Sequence, residues 1–221
     1  MIRCLVVFFV LASSHTGAAE APAVFDQPAT AVQLSQTLAP LTVTLREARS
    51  LRGVFTQQKI LKEIPRPLVA EGTFLFVRER GIVWRTTVPF VSELVITPDY
   101  LSQRDGGDAK GARLPADSNP AVRVISEIFM AVFGLDFTAL DGMFALFSQP
   151  PKNSKSNWVL GLRPRATAMA GAMQNIVVEG REQVRRVTLR DTQGDVTEIT
   201  LRDTFASNLP PTADDLRLFA P

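Results

Sequence analysis

Four β-like runs follow one another between Val69 and Arg104, separated by only two or three residues. They are Val69 to Arg78, Gly81 to Val88, Val91 to Thr97 and Tyr100 to Arg104. The separators are Glu79-Arg80-Gly81, Pro89-Phe90 and Pro98-Asp99, all turn or breaker chemistry. Parallel neighbours need a crossover of about a dozen residues or more, so connections this short require antiparallel pairing. Alternation then assigns the faces. Phe74 and Phe76 share one in the first run, as do Ile82, Trp84 and Val88 in the second and Leu94 and Ile96 in the third. Arg78 continues the Phe74/Phe76 face, and Arg85 points opposite Trp84.

The rest of the chain surrounds this meander with more strands and two helical regions. Thr30 offers an N-cap for a helix to Leu38, limited by Pro40, and a second helical stretch is expected over Leu41 to Leu51. Gly53 punctuates it and Val54 to Ile60 reads as a strand. Asp105 to Gly111 is an exposed loop by composition. Asn119 as N-cap and Pro120 as first helical residue then open an apolar helix to about Phe133, with Gly134 placed to end it. Asp136 to Asp141 is expected to add a turn. Further strands are expected over Met143 to Gln149, Asn157 to Arg163, Asn175 to Glu179, Gln183 to Arg190 and Val196 to Thr204. The fourth of these sets Val184 opposite Val187 and suggests one wet face. In the tail, Leu216 and Phe219 are expected to dock. The pattern predicts a mainly β (α+β) fold, an incomplete antiparallel β-barrel of about 10 to 11 strands with helices over its concave face.

The first 19 residues read as a secretory signal: Arg3, an apolar run from Leu5 to Leu11, then Gly17-Ala18-Ala19 at the cleavage position. The expected organisation is a signal over 1–19 and one domain over 20–221. Cys4 and His15, each the only one of its kind, fall inside the signal. Cys4 precedes the apolar run, whereas a lipid-anchored cysteine follows it. The remainder would hold 23 Lys+Arg against 22 Asp+Glu, since Arg3 is the one charge removed from totals of 24 and 22. No run of like charge gives a nucleic acid a footprint. No other apolar stretch approaches the roughly 20 residues that span a bilayer.

Without imidazole or thiolate, acid–base work would fall to carboxylates, lysine or tyrosine. Glu71, Glu79 and Glu93 form no recognisable pair, and no calcium-loop or phosphate-loop spacing occurs. The expectation is that the protein is not an enzyme and binds no metal or cofactor. What the chain has in surplus is phenylalanine where strands and helix can face each other: Phe55, Phe74, Phe76, Phe90, Phe129 and Phe133. Core packing explains such residues in any domain. An apolar cavity between curved sheet and helices would also use them, because each buried CH₂ of a lipid tail contributes roughly 0.8 kcal/mol.

Several segments in order resemble the LolA family, periplasmic carriers of outer-membrane lipoproteins. They are Phe55-Thr56-Gln57-Gln58-Lys59, Gly72-Thr73-Phe74, Gly81-Ile82-Val83-Trp84, and Pro89 five residues past the tryptophan. Leu94-Val95-Ile96-Thr97 before Pro98-Asp99, Trp158 to Pro164, and Gly194-Asp195-Val196-Thr197 continue the likeness. Residues Gln103 to Pro120 and the helix after them depart from the standard carrier. They are more similar to a divergent branch associated with aryl-polyene or pigment lipid pathways.

The resemblance implies an unclosed barrel capped by helices, and a soluble periplasmic carrier that moves acyl chains of a lipoprotein or lipid conjugate from inner to outer membrane. It implies an inner-membrane transporter as donor, an outer-membrane acceptor, transient membrane contact and a monomer. Family members latch the helical lid with an arginine just before the tryptophan strand, a position matched by Arg78 or by Arg80. Ile82 and Leu94 fall at the family's cavity mouth and interior, and the apolar faces add Phe74, Phe76, Trp84, Ile96, Ile125, Phe129 and Phe133. The alternative is a periplasmic binding or sensor module on the same fold, using a sheet edge or loops for a protein partner.

Overall fold

The computed structural model describes residues 23–39, 41, 47–106, 111–153, 155–165 and 170–220. The expected signal segment lies outside them, as do residues 42–46 of the expected Leu41–Leu51 helix and the middle of the Asp105–Gly111 loop. A 3-10 turn (Ala23–Phe25) and helix α1 (Ala31–Leu38) come first. Strands β1 (Ser50–Ile60), β2 (Leu68–Val77), β3 (Gly81–Val88), β4 (Ser92–Ile96), β5 (Tyr100–Asp105) and β6 (Ala112–Pro115) follow. Helix α2 (Pro120–Gly134) and a 3-10 turn (Phe137–Leu140) lead to β7 (Phe144–Gln149), β8 (Trp158–Pro164) and β9 (Met173–Gly180). Then come β10 (Val184–Asp191), β11 (Val196–Ser207) and the short helix α3 (Ala213–Arg217).

All eleven strands form one antiparallel sheet in the order β6-β5-β4-β3-β2-β1-β11-β10-β9-β8-β7. β6 and β7 are its unjoined edges, and the chain between them is α2 with its following turn. One buried cluster draws side chains from both halves of the sheet, for example Trp84 of β3 and Trp158 of β8, and from α2 between them. The sheet is therefore curled into an unclosed barrel with α2 packed on its concave face.

Irregularities in the ladder produce the curl. The register shifts at Arg52/Val54 between β1 and β11, at Glu71/Gly72 between β2 and β3 and at Val184/Arg186 between β10 and β9. The extra residue lies in β11, β3 and β10 respectively, and such bulges bend and twist the strand that carries them. At the second of these, a Cβ on Gly72 would lie 1.9 Å from the Arg85 carbonyl oxygen, so only glycine fits that approach.

The third shift overturns the face assignment in β10. Val184 and Val187, three apart and expected on opposite faces, are both buried in the concave cluster because one extra residue lies between them. Val88 departs in the same way. It is half exposed, beyond the bulge opposite Glu71, and does not join Ile82 and Trp84 inside.

The helix caps follow the local chemistry. Thr30 and Gln33 form a reciprocal capping box on α1. The Asn119 side chain accepts from the Ala121 and Val122 N–H groups, with Pro120 behind it. At the far end Gly134 remains helical. It is Leu135 that takes the left-handed conformation, φ 59°, and donates its N–H to the Ala131 carbonyl. β6 is an addition the sequence pattern did not predict, and Ser50 and Leu51 belong to a strand, not to a helix.

Both ends of the described chain pack on the outer face. Val24 and Phe25 cover Phe147 and Val177, and Pro28 bridges to Phe147 at the β7 edge. The C-terminal segment covers Leu75, Val77, Val83, Val95 and Tyr100 with Phe219 and Leu218, and Leu216 stays exposed. Two bonds fix it: the Tyr100 hydroxyl donates to the Phe219 carbonyl at 2.8 Å, and Arg52 pairs with Asp215 at 2.8 Å.

Candidate functional site

The concave face gathers nine of the expected cavity residues around α2. Phe74, Phe76, Ile82, Trp84 and Ile96 are buried there, with Leu94 half-buried against the same cluster. From α2, Phe133 is buried, while Ile125 and Phe129 are partly buried and packed on the cluster. The strand residues share this face because each pair is two residues apart, and antiparallel register aligns them: Phe74 opposite Trp84, Phe76 opposite Ile82, Trp84 opposite Leu94, Ile82 opposite Ile96.

The aromatic rings touch in series. Phe55 stacks on Trp84 at 3.9 Å between centroids, Phe74 meets Phe133 at 5.2 Å, and Phe129 stacks on Phe133 at 6.1 Å. Trp84 meets the edges of Phe129 and Phe133 at 6.3 and 6.4 Å. Each such pair adds about 0.5–1.5 kcal/mol to the gain from burial. The helix is thus held by aromatic contact along its inner face.

Among the described residues, a small void lies beneath it. The void lined by Leu51, Phe74, Val132, Phe133 and Leu201 measures about 20 Å³. One water fits in such a volume and an acyl chain does not. Where the cavity is expected, side chains of α2 pack against those of the sheet.

Arg78 and Arg80 occupy different surroundings. Arg78 is half-buried and donates from Nε to the Ala48 carbonyl at 2.8 Å and from Nη1 to the Gly134 carbonyl at 3.3 Å. Gly134 is the last residue of α2, so the guanidinium sits at the negative end of the helix dipole. Arg80 is exposed on the β2–β3 turn. The structure brings Arg78, and not Arg80, to the helix end.

Sequence reasoning put Phe90 with the inward phenylalanines, but it is 71% exposed at the β3–β4 tip. Phe137, Leu140, Phe144 and Trp158, all buried, complete the other half of the concave cluster. The strands of Phe144 and Trp158 and the turn of Phe137 and Leu140 are expected from the sequence, but no pattern ties them to the first meander. Trp158 is fixed by its Nε1–H, which donates to the Arg181 carbonyl at 2.7 Å. Among the described residues no group of three or more His, Cys, Asp or Glu is placed to hold a metal ion, and no helix is long and apolar enough to cross a membrane.

No family model matches the chain, and no curated protein matches its sequence. Solved structures give likenesses of outline. A LolA superfamily protein from Nitrosomonas europaea is 10% identical with a TM-score of 0.42, over 84% of this chain and 98% of that one. A DUF1329 family protein from Desulfovibrio piger is 8% identical with a TM-score of 0.40, over 77% and 93%. The MucA/MucB complex of Pseudomonas aeruginosa contains a chain that is 13% identical with a TM-score of 0.43, over 83% of this chain and 60% of that one. At these scores the chain's own side chains have to carry any reading of its role.

Proposed function

We propose that the protein is a periplasmic carrier that shelters the acyl chains of a lipoprotein or lipid conjugate against the concave face of its barrel, with α2 as the lid. The observation that carries this reading is the aromatic surface on β1, β2 and β3 of an unclosed sheet, covered by the helix α2 and not by a paired strand. An acyl chain and the inner face of α2 would compete for the same apolar surface. Each CH₂ buried there contributes roughly 0.8 kcal/mol, so one long tail offsets the loss of several helix contacts.

Under this reading Phe74, Phe76, Ile82, Trp84, Leu94 and Ile96 form the floor, and Ile125, Phe129 and Phe133 the lid face. Arg78 is the latch. The donor and acceptor would be membrane proteins of the inner and outer membranes, as the family resemblance implies. The direct test is uptake of a fluorescent fatty acid by the purified protein, followed by Trp84 emission in a Trp158→Phe background. Leu94→Glu is expected to abolish uptake, because Leu94 is only half-buried and its substitution leaves the fully buried floor intact. Saturable uptake unchanged by Leu94→Glu would remove the concave face as the binding surface.

A further inference from the structure

Among the described residues, seven of the twelve exposed large hydrophobic side chains sit on two adjacent hairpin tips. The β1–β2 tip carries Ile60, Ile64, Leu68 and Val69, and the β3–β4 tip carries Val88, Phe90 and Val91. These four strands are consecutive neighbours, so both tips lie at one end of the barrel. Glu71 pairs with Val88, and continuing that antiparallel register sets Val69 level with Phe90. Such concentration is not the scatter of single apolar residues that ordinary surfaces show.

The first tip is built to hold its shape. The Lys62 N–H donates to the Asp195 carboxylate at 3.0 Å, and the Ile64 N–H closes a turn onto the Leu61 carbonyl at 3.1 Å. Pro65, Pro67 and Pro89 remove three backbone donors from the two tips. An added strand from a protein partner would need those donors, whereas the headgroup–acyl boundary of a bilayer penalises donors left unpaired. Between Lys59 and Val69 stand three basic residues, Lys59, Lys62 and Arg66, against one acid, Glu63. Lys62 and Arg66 are exposed beside the apolar groups. Long cationic side chains beside apolar points place their heads at the lipid phosphates while the apolar groups sink below them.

We infer that the two hairpin tips dock the protein onto an anionic lipid bilayer, with Ile64 and Phe90 entering the headgroup–acyl boundary. The purpose of this docking rests on the carrier reading, but the contact itself needs no cargo. The test is flotation of the purified protein with vesicles of phosphatidylethanolamine and phosphatidylglycerol, compared with vesicles of phosphatidylcholine alone. Binding to the anionic vesicles is expected, weakened about tenfold by Phe90→Ser and by Ile64→Ser. Lys62→Gln and Arg66→Gln are each expected to weaken it about fivefold. Melting temperature and fatty-acid uptake without vesicles should not change in these variants.

Absent binding, equal binding to neutral vesicles, or indifference to the tip variants would overturn the inference. So would a loss of attachment confined to native membranes with their proteins, which would make the tips a protein contact. Vesicle docking without fatty-acid uptake would remove the carrier reading and leave the docking in place.

Discussion

Replacing Arg78 with leucine separates a latch from a merely structural side chain, because two of its hydrogen bonds act on different parts of the fold. The bond to the Ala48 carbonyl, 2.8 Å, does not involve α2 and contributes to overall stability. The bond to Gly134, 3.3 Å, holds the end of α2. A hydrogen bond from a charged donor contributes about 1.5–3 kcal/mol. Half-burial puts both at or below the lower bound, and the longer one nearer 1 kcal/mol. The charge at the helix end adds about 0.5 kcal/mol. Loss of the α2 tether is therefore worth about 1.5 kcal/mol, and total destabilisation about 2–3 kcal/mol.

At 1.36 kcal/mol per decade, the first figure raises the lid-open population roughly tenfold. If cargo binds only the open form, apparent affinity scales with that population. Arg78→Leu should then bind a fluorescent fatty acid about tenfold more tightly while melting at a lower temperature. Amide exchange should rise in α2 more than in β1 or β2. Arg78→Lys should fall between, since an ammonium keeps the charge but not the planar fork that reaches both carbonyls. Lower or unchanged affinity together with the expected loss of stability would refute the latch, leaving Arg78 as a helix cap.

Two further outcomes follow from the outer face and the first turn. Burial alone would raise the Asp215 carboxyl, but hydrogen bonds from Thr212 and the paired Arg52 outweigh it and hold the group below its ordinary value. A depressed folded value gives stability that is present above the unfolded value of about 3.9 and is lost as pH falls through the folded one. Asp215→Asn is expected to cost about 1–2 kcal/mol at neutral pH, with denaturation curves of the two proteins converging below about pH 4; a constant gap would sink the assignment. Glu79, exposed on the β2–β3 turn, sits at φ 64°. Asparagine adopts that region more readily, so Glu79→Asn should stabilise by about 0.5–1 kcal/mol, read from the urea midpoint at unchanged slope.

The first meander was legible because its turns and its alternation point the same way. Phe74, Phe76, Ile82, Trp84 and Ile96 could be assigned to one face by counting twos between Pro and Gly breakers. Counting failed wherever a bulge inserted a residue, as at Val184 and Val187, since an extra residue changes parity without leaving a composition mark. β6 was missed because Ala112 to Pro115 is short, exposed and ends in proline, with no apolar alternation to count. Leu135 takes the left-handed position in place of Gly134 because the helix runs one residue further, through Gly134. Phe90 looked like core by residue type alone, and only the tertiary structure shows that α2 does not reach the β3–β4 tip.

The deeper ambiguity concerns the concave face, where one set of residues answers to two demands. A core needs Phe74, Trp84 and Phe133 in close contact; a carrier needs the same strand surface released to cargo. Sequence periodicity cannot separate these, since burial by a helix and burial by a lipid tail select the same side chains. The difference lies in how the cover is attached. α2 follows the edge strand β6 in a sheet whose two edges no ladder joins, and has the Arg78 guanidinium at its end. Its contacts with the sheet are dispersive and aromatic, interactions that an acyl chain can replace nearly one for one. A cover bonded by its backbone would have to leave donors and acceptors unpaired when it opened, at about 1–3 kcal/mol for each buried group. A helix satisfies its own backbone, so it can leave an apolar surface without that cost, and this is the physical reason for assigning the lid to α2 and not to any strand.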